Sequence, residues 1–169
     1  SAGKDAPVDD QLGPLPAVAF GHGFFQEPVR YAGVLAHLAS WGFIVIATES
    51  QAGISPDHAQ LARDLSVSLS FLAQAHGDDG SPFHDRVRTD RFGASGHSMG
   101  AGASVLAAAA DGRIRALANL AAADTRPSAV EAMRAVQVPV HLIVGSEDSI
   151  VPASSTQRMY DAARAPRLF

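Results

Sequence analysis

The chain has 169 residues, a length that suggests one domain able to bury most of its apolar surface. It contains no cysteine, which excludes disulfides, a thiol nucleophile and thiolate metal sites. A net charge of -4 with the signs interspersed offers no basic stripe for nucleic acid, and no apolar run reaches the roughly 18 residues of a membrane span.

Residues 1–15 are polar and rich in Gly and Pro. They read as an irregular leading segment without the basic-then-apolar order of a signal peptide. Ala17 to Phe20 is a short apolar run stopped by "GHG", and Phe43 to Thr48 is a second, β-branched one. Runs apolar on both faces predict buried parallel strands. Between them Tyr31, Val34, Leu35 and Leu38 recur at helical spacing after Pro28 and before Gly42, completing a βαβ unit. A helix beginning at Ser55-Pro56-Asp57 carries Leu61, Leu65, Leu69 and Leu72 as one stripe and ends in the turn-rich "HGDDGSPFHD". Arg91 to Ser95 predicts the third strand, followed by an Ala/Gly-rich helix ending near Asp111-Gly112. Ala116 to Ala122 and Pro139 to Gly145 predict the fourth and fifth strands. A helix over about 153–164 follows, and Arg167 to Phe169 opens another strand. Alternating strands and helices predict a single α/β domain over 1–169, a three-layer fold with a mostly parallel sheet.

In such sheets ligands bind beyond the carboxyl ends of the strands, so the loops after each strand are where chemistry is expected. There "GHSMG", Gly96 to Gly100, fits the G-x-S-x-G turn that exposes a nucleophilic serine between a strand and a helix. Ser98 is that serine. Ser95 does not fit, because position 97 is histidine rather than glycine. Bulky residues at 96 and 100 would collide with neighbouring backbone, and Gly102 and Ala103 let the helix approach the sheet.

A serine hydroxyl needs a base, an acid to orient that base, and donors for the developing oxyanion. Asp148, in "VGSEDSIVP" after the fifth strand, is the candidate acid, ahead of Glu147. The candidate oxyanion donors are the backbone N–H of Met99, directly after the nucleophile, and that of Phe24 in "GHGFF". His22 on the same loop is better suited to positioning that loop than to acting as base.

Together "GHGFF", "GFIVIATES", "GHSMGAGAS" and "PVHLIVGSEDSIVP" resemble the α/β-hydrolase superfamily, most closely its branch of bacterial cutinases, polyester hydrolases and chlorophyllase-like esterases, from about Pro16 to the end. The resemblance implies Ser98 as nucleophile, Asp148 as triad acid, and the N–H groups of Phe24 and Met99 as the oxyanion hole. It also implies carboxylic ester hydrolysis without metal or cofactor, and a secreted or periplasmic protein. Two departures stand out. Where the cutinase branch has a Trp after the fourth strand, this chain has Ala121-Ala122-Ala123-Asp124; and the family's base, a histidine beyond the acid, has no counterpart in the 21 residues after Asp148. His141 falls within a strand, His97 beside the nucleophile, and His37, His58, His76 and His84 on helices or the polar loop between them. The family also has strands ahead of Ala17, so a domain lacking its leading strands and the end of its last is expected. Uncovered apolar edges at Phe43 to Thr48 and Pro139 to Gly145 then invite self-association.

The leading expectation is a serine esterase that attacks accessible esters through an acyl-enzyme. Only 16 residues separate the fourth and fifth strands, too few for a large lid. The alternative, motivated by the absent histidine, is a catalytically incomplete hydrolase-like fragment or binding protein.

Overall fold

Residues 13–169 are described by the computed structural model. The short apolar runs become strands β1 (Leu15–Gly21), β2 (Ile44–Ala47), β3 (Val87–His97), β4 (Ile114–Leu120), β5 (Val140–Ile143) and β6 (Arg167–Leu168). They form one sheet in the order β2-β1-β3-β4-β5-β6, and every neighbouring pair is parallel. A 3₁₀ turn (Pro28–Tyr31) leads into α1 (Ala32–Ser40); α2 (His58–His76), α3 (Met99–Ala110), α4 (Ala129–Met133) and α5 (Ala153–Ala162) complete the alternation.

The predicted leucine stripe drives the packing of α2. Asp57 caps the helix by accepting from Gln60 N at 2.9 Å, and Leu61, Leu65, Leu69 and Leu72 are buried against α3 and the sheet. Each such leucine contributes about 1.5–3 kcal/mol relative to leaving it in water. Helix α3 buries Gly100, Gly102, Ala101 and Ala103, so its axis lies close against β3, β1 and β4. Helix α1 covers part of the other face, where its Leu38 shares an apolar groove of about 370 Å³ with Val18, Phe43, Gly93 and Ala116.

Several elements differ from the sequence expectation, β4 among them, which spans Ile114–Leu120 rather than 116–122. β1 starts at Leu15, inside the segment expected to be irregular, and residues 1–12 of that segment lie outside the described residues. β3 starts four residues earlier, at Val87, because Leu15 N donates to Arg86 O and Leu15 aligns with Val87; the exposed Thr89 and Asp90 disguise this stretch as a turn. The segment between β4 and β5 contains α4, capped by Ser128 Oγ accepting from Glu131 N. At the sheet's margins β2 is outermost on one side. On the other, β6 pairs with only Val140 and His141, leaving Ile143 46% exposed.

Candidate active site

β1 and β3 lie side by side with Gly21 opposite Gly96, so the loops that follow them emerge together. β3 ends at His97, and Ser98 then turns the chain into α3 with φ 54° and ψ -117°, left-handed backbone that a serine adopts only under constraint. The constraint comes from β4 and the loop after it. Ser98 N donates to Leu120 O at 3.0 Å, and Ser98 O accepts from Gly102 N and Ala123 N, both at 3.1 Å. Among the described residues the hydroxyl of Ser98 makes no hydrogen bond and is free for chemistry. Ser95, by contrast, donates to Ala118 O at 2.5 Å and is a structural residue.

The small neighbours have separate reasons. A β-carbon on Gly96 would lie 2.5 Å from the Gly100 carbonyl carbon, and one on Gly100 would overlap the carbonyls of Gly21 and His22. One on Gly102 would overlap Ala123 O and the Thr125 methyl. Glycine at these positions lets β1, the turn and the loop after β4 meet at one point. Of the five described non-glycine residues with left-handed backbone, four follow strands on this rim, Phe25 after β1, Gln51 after β2, Ser98 after β3 and Ala121 after β4, while the fifth, Asp85, precedes β3. Such strain concentrates where surrounding structure holds functional groups in place.

The oxyanion candidates are available as donors. Among the described residues the N–H groups of Phe24 and Met99 have no acceptor; Met99 N–H also opens α3, where the helix presents its positive end. The loop carrying Phe24 is closed by Gln26 N donating to Gly23 O at 3.2 Å. His22 is fully buried on it, with Nδ1 2.9 Å from Gly23 O and Nε2 2.8 Å from Ser50 O. Ser50 Oγ in turn donates to Asp64 Oδ2 at 2.5 Å, so the loops after β1 and β2 are tied to α2 through His22 and Ser50.

Asp148 stands in the turn after β5. Its Oδ1 accepts from Ile150 N and Val151 N, both at 2.9 Å, and these bonds hold its carboxyl below the usual carboxylate range, with His97 reinforcing the shift. Glu147 is exposed. His97 faces this charge from across the rim: burial lowers the pKa of its ring, and the pull of Asp148 opposes that shift without reversing it.

Sequence reasoning missed Tyr31. Its hydroxyl accepts from Gly23 N at 2.9 Å and lies 2.9 Å from His97 Nδ1, linking residues 66 positions apart. The other histidines of the chain have surroundings of their own. His37 accepts from Trp41 Nε1, His58 from Arg126 N and His76 from Val87 N, while His84 faces Asp79 and Asp85 and His141 lies in β5. None of the described histidines makes a hydrogen bond to Ser98 or Asp148. Among the described residues there is no cluster of three potential metal ligands, and no helix is long and apolar enough to cross a membrane. A strained serine, two free backbone donors and an ionised carboxylate thus share the carboxyl-end rim of a parallel sheet. A family model described as PETase, PET hydrolase-like, matches residues 6–165.

Proposed function

The chain belongs to this PET hydrolase-like family of α/β-hydrolases, and from that premise we propose that it is a serine carboxylic ester hydrolase acting on accessible esters. The observation that carries the reading is Ser98 at φ 54° and ψ -117°, between β3 and α3. Its hydroxyl oxygen attacks the ester carbonyl carbon, and the negative charge that develops on the carbonyl oxygen is taken up by the N–H groups of Phe24 and Met99. Collapse of the tetrahedral adduct expels the alcohol and leaves an acyl group on Ser98. Water then attacks the acyl carbon, releasing the acid and restoring the serine.

A base must accept the Ser98 proton and return it to the leaving alcohol, and Asp148 is the carboxylate that would orient it. No described histidine bonds to Ser98 or Asp148, so the base is assigned to none of them. The same observation favours the second reading, a hydrolase-like protein that binds esters without cleaving them. A fluorophosphonate decides between the two: covalent labelling at Ser98 supports an assembled site, and no labelling under conditions that saturate an active esterase supports the binding protein.

The outermost place of β2 among the described strands and the exposed Ile143 support pairing with another chain, which sedimentation velocity would detect as a concentration-dependent dimer. The family resemblance also supports export to the periplasm or medium, which fractionation of producing cells would check.

A further inference from the structure

We propose that Tyr31 is a positioning residue of this site: its hydroxyl joins the oxyanion loop to the residue before the nucleophile and fixes the tautomer of His97. Only the kinetic consequence rests on the esterase reading above. The geometry starts at Gly23, whose backbone N can only donate and lies 2.9 Å from Tyr31 Oη, so the hydroxyl oxygen accepts there. The hydroxyl has one proton of its own. Its other partner among the described residues is His97 Nδ1 at 2.9 Å, so that proton is satisfied by donation to the ring. Nδ1 is therefore the bare nitrogen, and the proton of the neutral imidazole sits on Nε2.

Packing supports the relay. The Tyr31 ring lies 5.0 Å from that of the fully buried Phe20 and 5.7 Å from that of His97, and Pro28 at the start of the 3₁₀ turn sets its approach. A β-carbon on Gly23 would lie 2.9 Å from both Tyr31 Oη and His97 Nδ1, so any larger residue there must displace one partner of the bridge. The consequence is a coupling of two loops. Phe24 N–H follows directly from the peptide that Tyr31 holds, and Met99 N–H comes two residues after His97. One hydroxyl thus fixes the separation of the two oxyanion donors. Apart from Tyr31 itself, the ionisable group that acts on His97 is Asp148.

The test labels the 169-residue chain with ¹⁵N-histidine and reads the His97 ring nitrogens by long-range ¹H–¹⁵N correlation. In the wild-type chain Nδ1 should show a pyridine-type shift and Nε2 a pyrrole-type shift; a proton on Nδ1 overturns the relay. In Tyr31→Phe, which keeps the ring against Phe20, the two shifts should move toward an average of tautomers and the Gly23 amide, which loses its acceptor, should exchange at least about tenfold faster. Turnover of p-nitrophenyl butyrate should drop at least about tenfold in kcat with KM within about twofold, as expected for a misplaced oxyanion donor. Unchanged nitrogen shifts in Tyr31→Phe, or shifted ones with unchanged kcat, overturn the proposal. Gly23→Ala, which forces the two side chains apart, should give the same nitrogen signature and decides the matter if Tyr31→Phe does not fold. A wild-type chain that turns over no ester would sink the esterase reading while the nitrogen shifts still decide the relay.

Discussion

Gly21 and Gly100 pass so closely that a β-carbon on Gly21 would lie 2.9 Å from both the Cα and the carbonyl oxygen of Gly100. This contact brings the end of β1, and with it the loop that carries Phe24, against the first turn of α3.

Gly100→Ala should therefore destabilise the fold by about 2–3 kcal/mol, the cost of overpacking against backbone that cannot yield. Gly112, around which there is open space, supplies the control: Gly112→Ala should stay within about 0.5 kcal/mol. Urea unfolding of both variants checks the pair. Equal stabilities would show that the β1–α3 contact is loose.

Ser98→Ala should remove at least about a thousandfold of the esterase activity, because only binding and the oxyanion donors remain. Its stability should hardly change, since the hydroxyl makes no hydrogen bond among the described residues. Ser95→Ala should do the reverse, keeping activity while losing about 1 kcal/mol with its bond to Ala118 O. Activity assays and thermal melts on the two variants should separate the proposed nucleophile from the serine bonded within the sheet.

Asp148→Asn keeps a carbonyl oxygen able to accept from Ile150 N and Val151 N, so the turn after β5 should survive. What disappears is the negative charge that orients and stabilises a protonated base, and kcat should fall by about three to four orders of magnitude. Glu147→Gln should leave kcat nearly untouched. Should the glutamate be the damaging change instead, the acid has been misassigned.

Stability should weaken on mild acidification. Burial lowers the folded pKa of His97 below its ordinary 6.5, so above that pH neither the folded nor the unfolded chain carries a proton there. As pH falls below 6.5 the unfolded chain takes up the proton first, and the folded state loses ground until the pH passes the depressed folded value. The Asp148 shift acts in a separate window, below its ordinary value of 3.8. Melting temperatures recorded from pH 8 to pH 5 should fall more steeply for the wild type than for His97→Gln. Parallel curves would remove His97 as the source.

Release of product from an aromatic polyester should be weak relative to turnover of small soluble esters. Ala123, whose N–H donates to Ser98 O at 3.1 Å, borders the nucleophile where related enzymes carry an indole. A methyl group there cannot supply the stacking surface of an aromatic ring. Ala123→Trp should raise the ratio of polymer to soluble-ester activity; a ratio that stays put would mean that this position does not select the substrate.

The strands, the α2 stripe and the turn at Ser98 were legible because each is written locally. Leu61, Leu65, Leu69 and Leu72 recur at helical spacing, Asp57 precedes them as a cap, and Gly96 and Gly100 bracket the serine. The start of β3 was hidden because Thr89 and Asp90 face solvent, and what makes Val87 a strand residue is Leu15, far away in sequence. Tyr31 shares its helical spacing with Val34, Leu35 and Leu38, which marks it as one member of an apolar face. Its actual role depends on Gly23 and His97, and no pattern within a single helix can report a hydroxyl shared between two other loops.

The left-handed backbone at Ser98 bears on how this protein can be improved. A glycine there would relieve the conformation and should stabilise the chain by about 1–2 kcal/mol. The more heat-resistant molecule would then be the one without a nucleophile. Selection for thermal tolerance alone would accept that exchange, so a useful screen must require ester turnover in every round and look for added stability away from the rim where the strained residues gather.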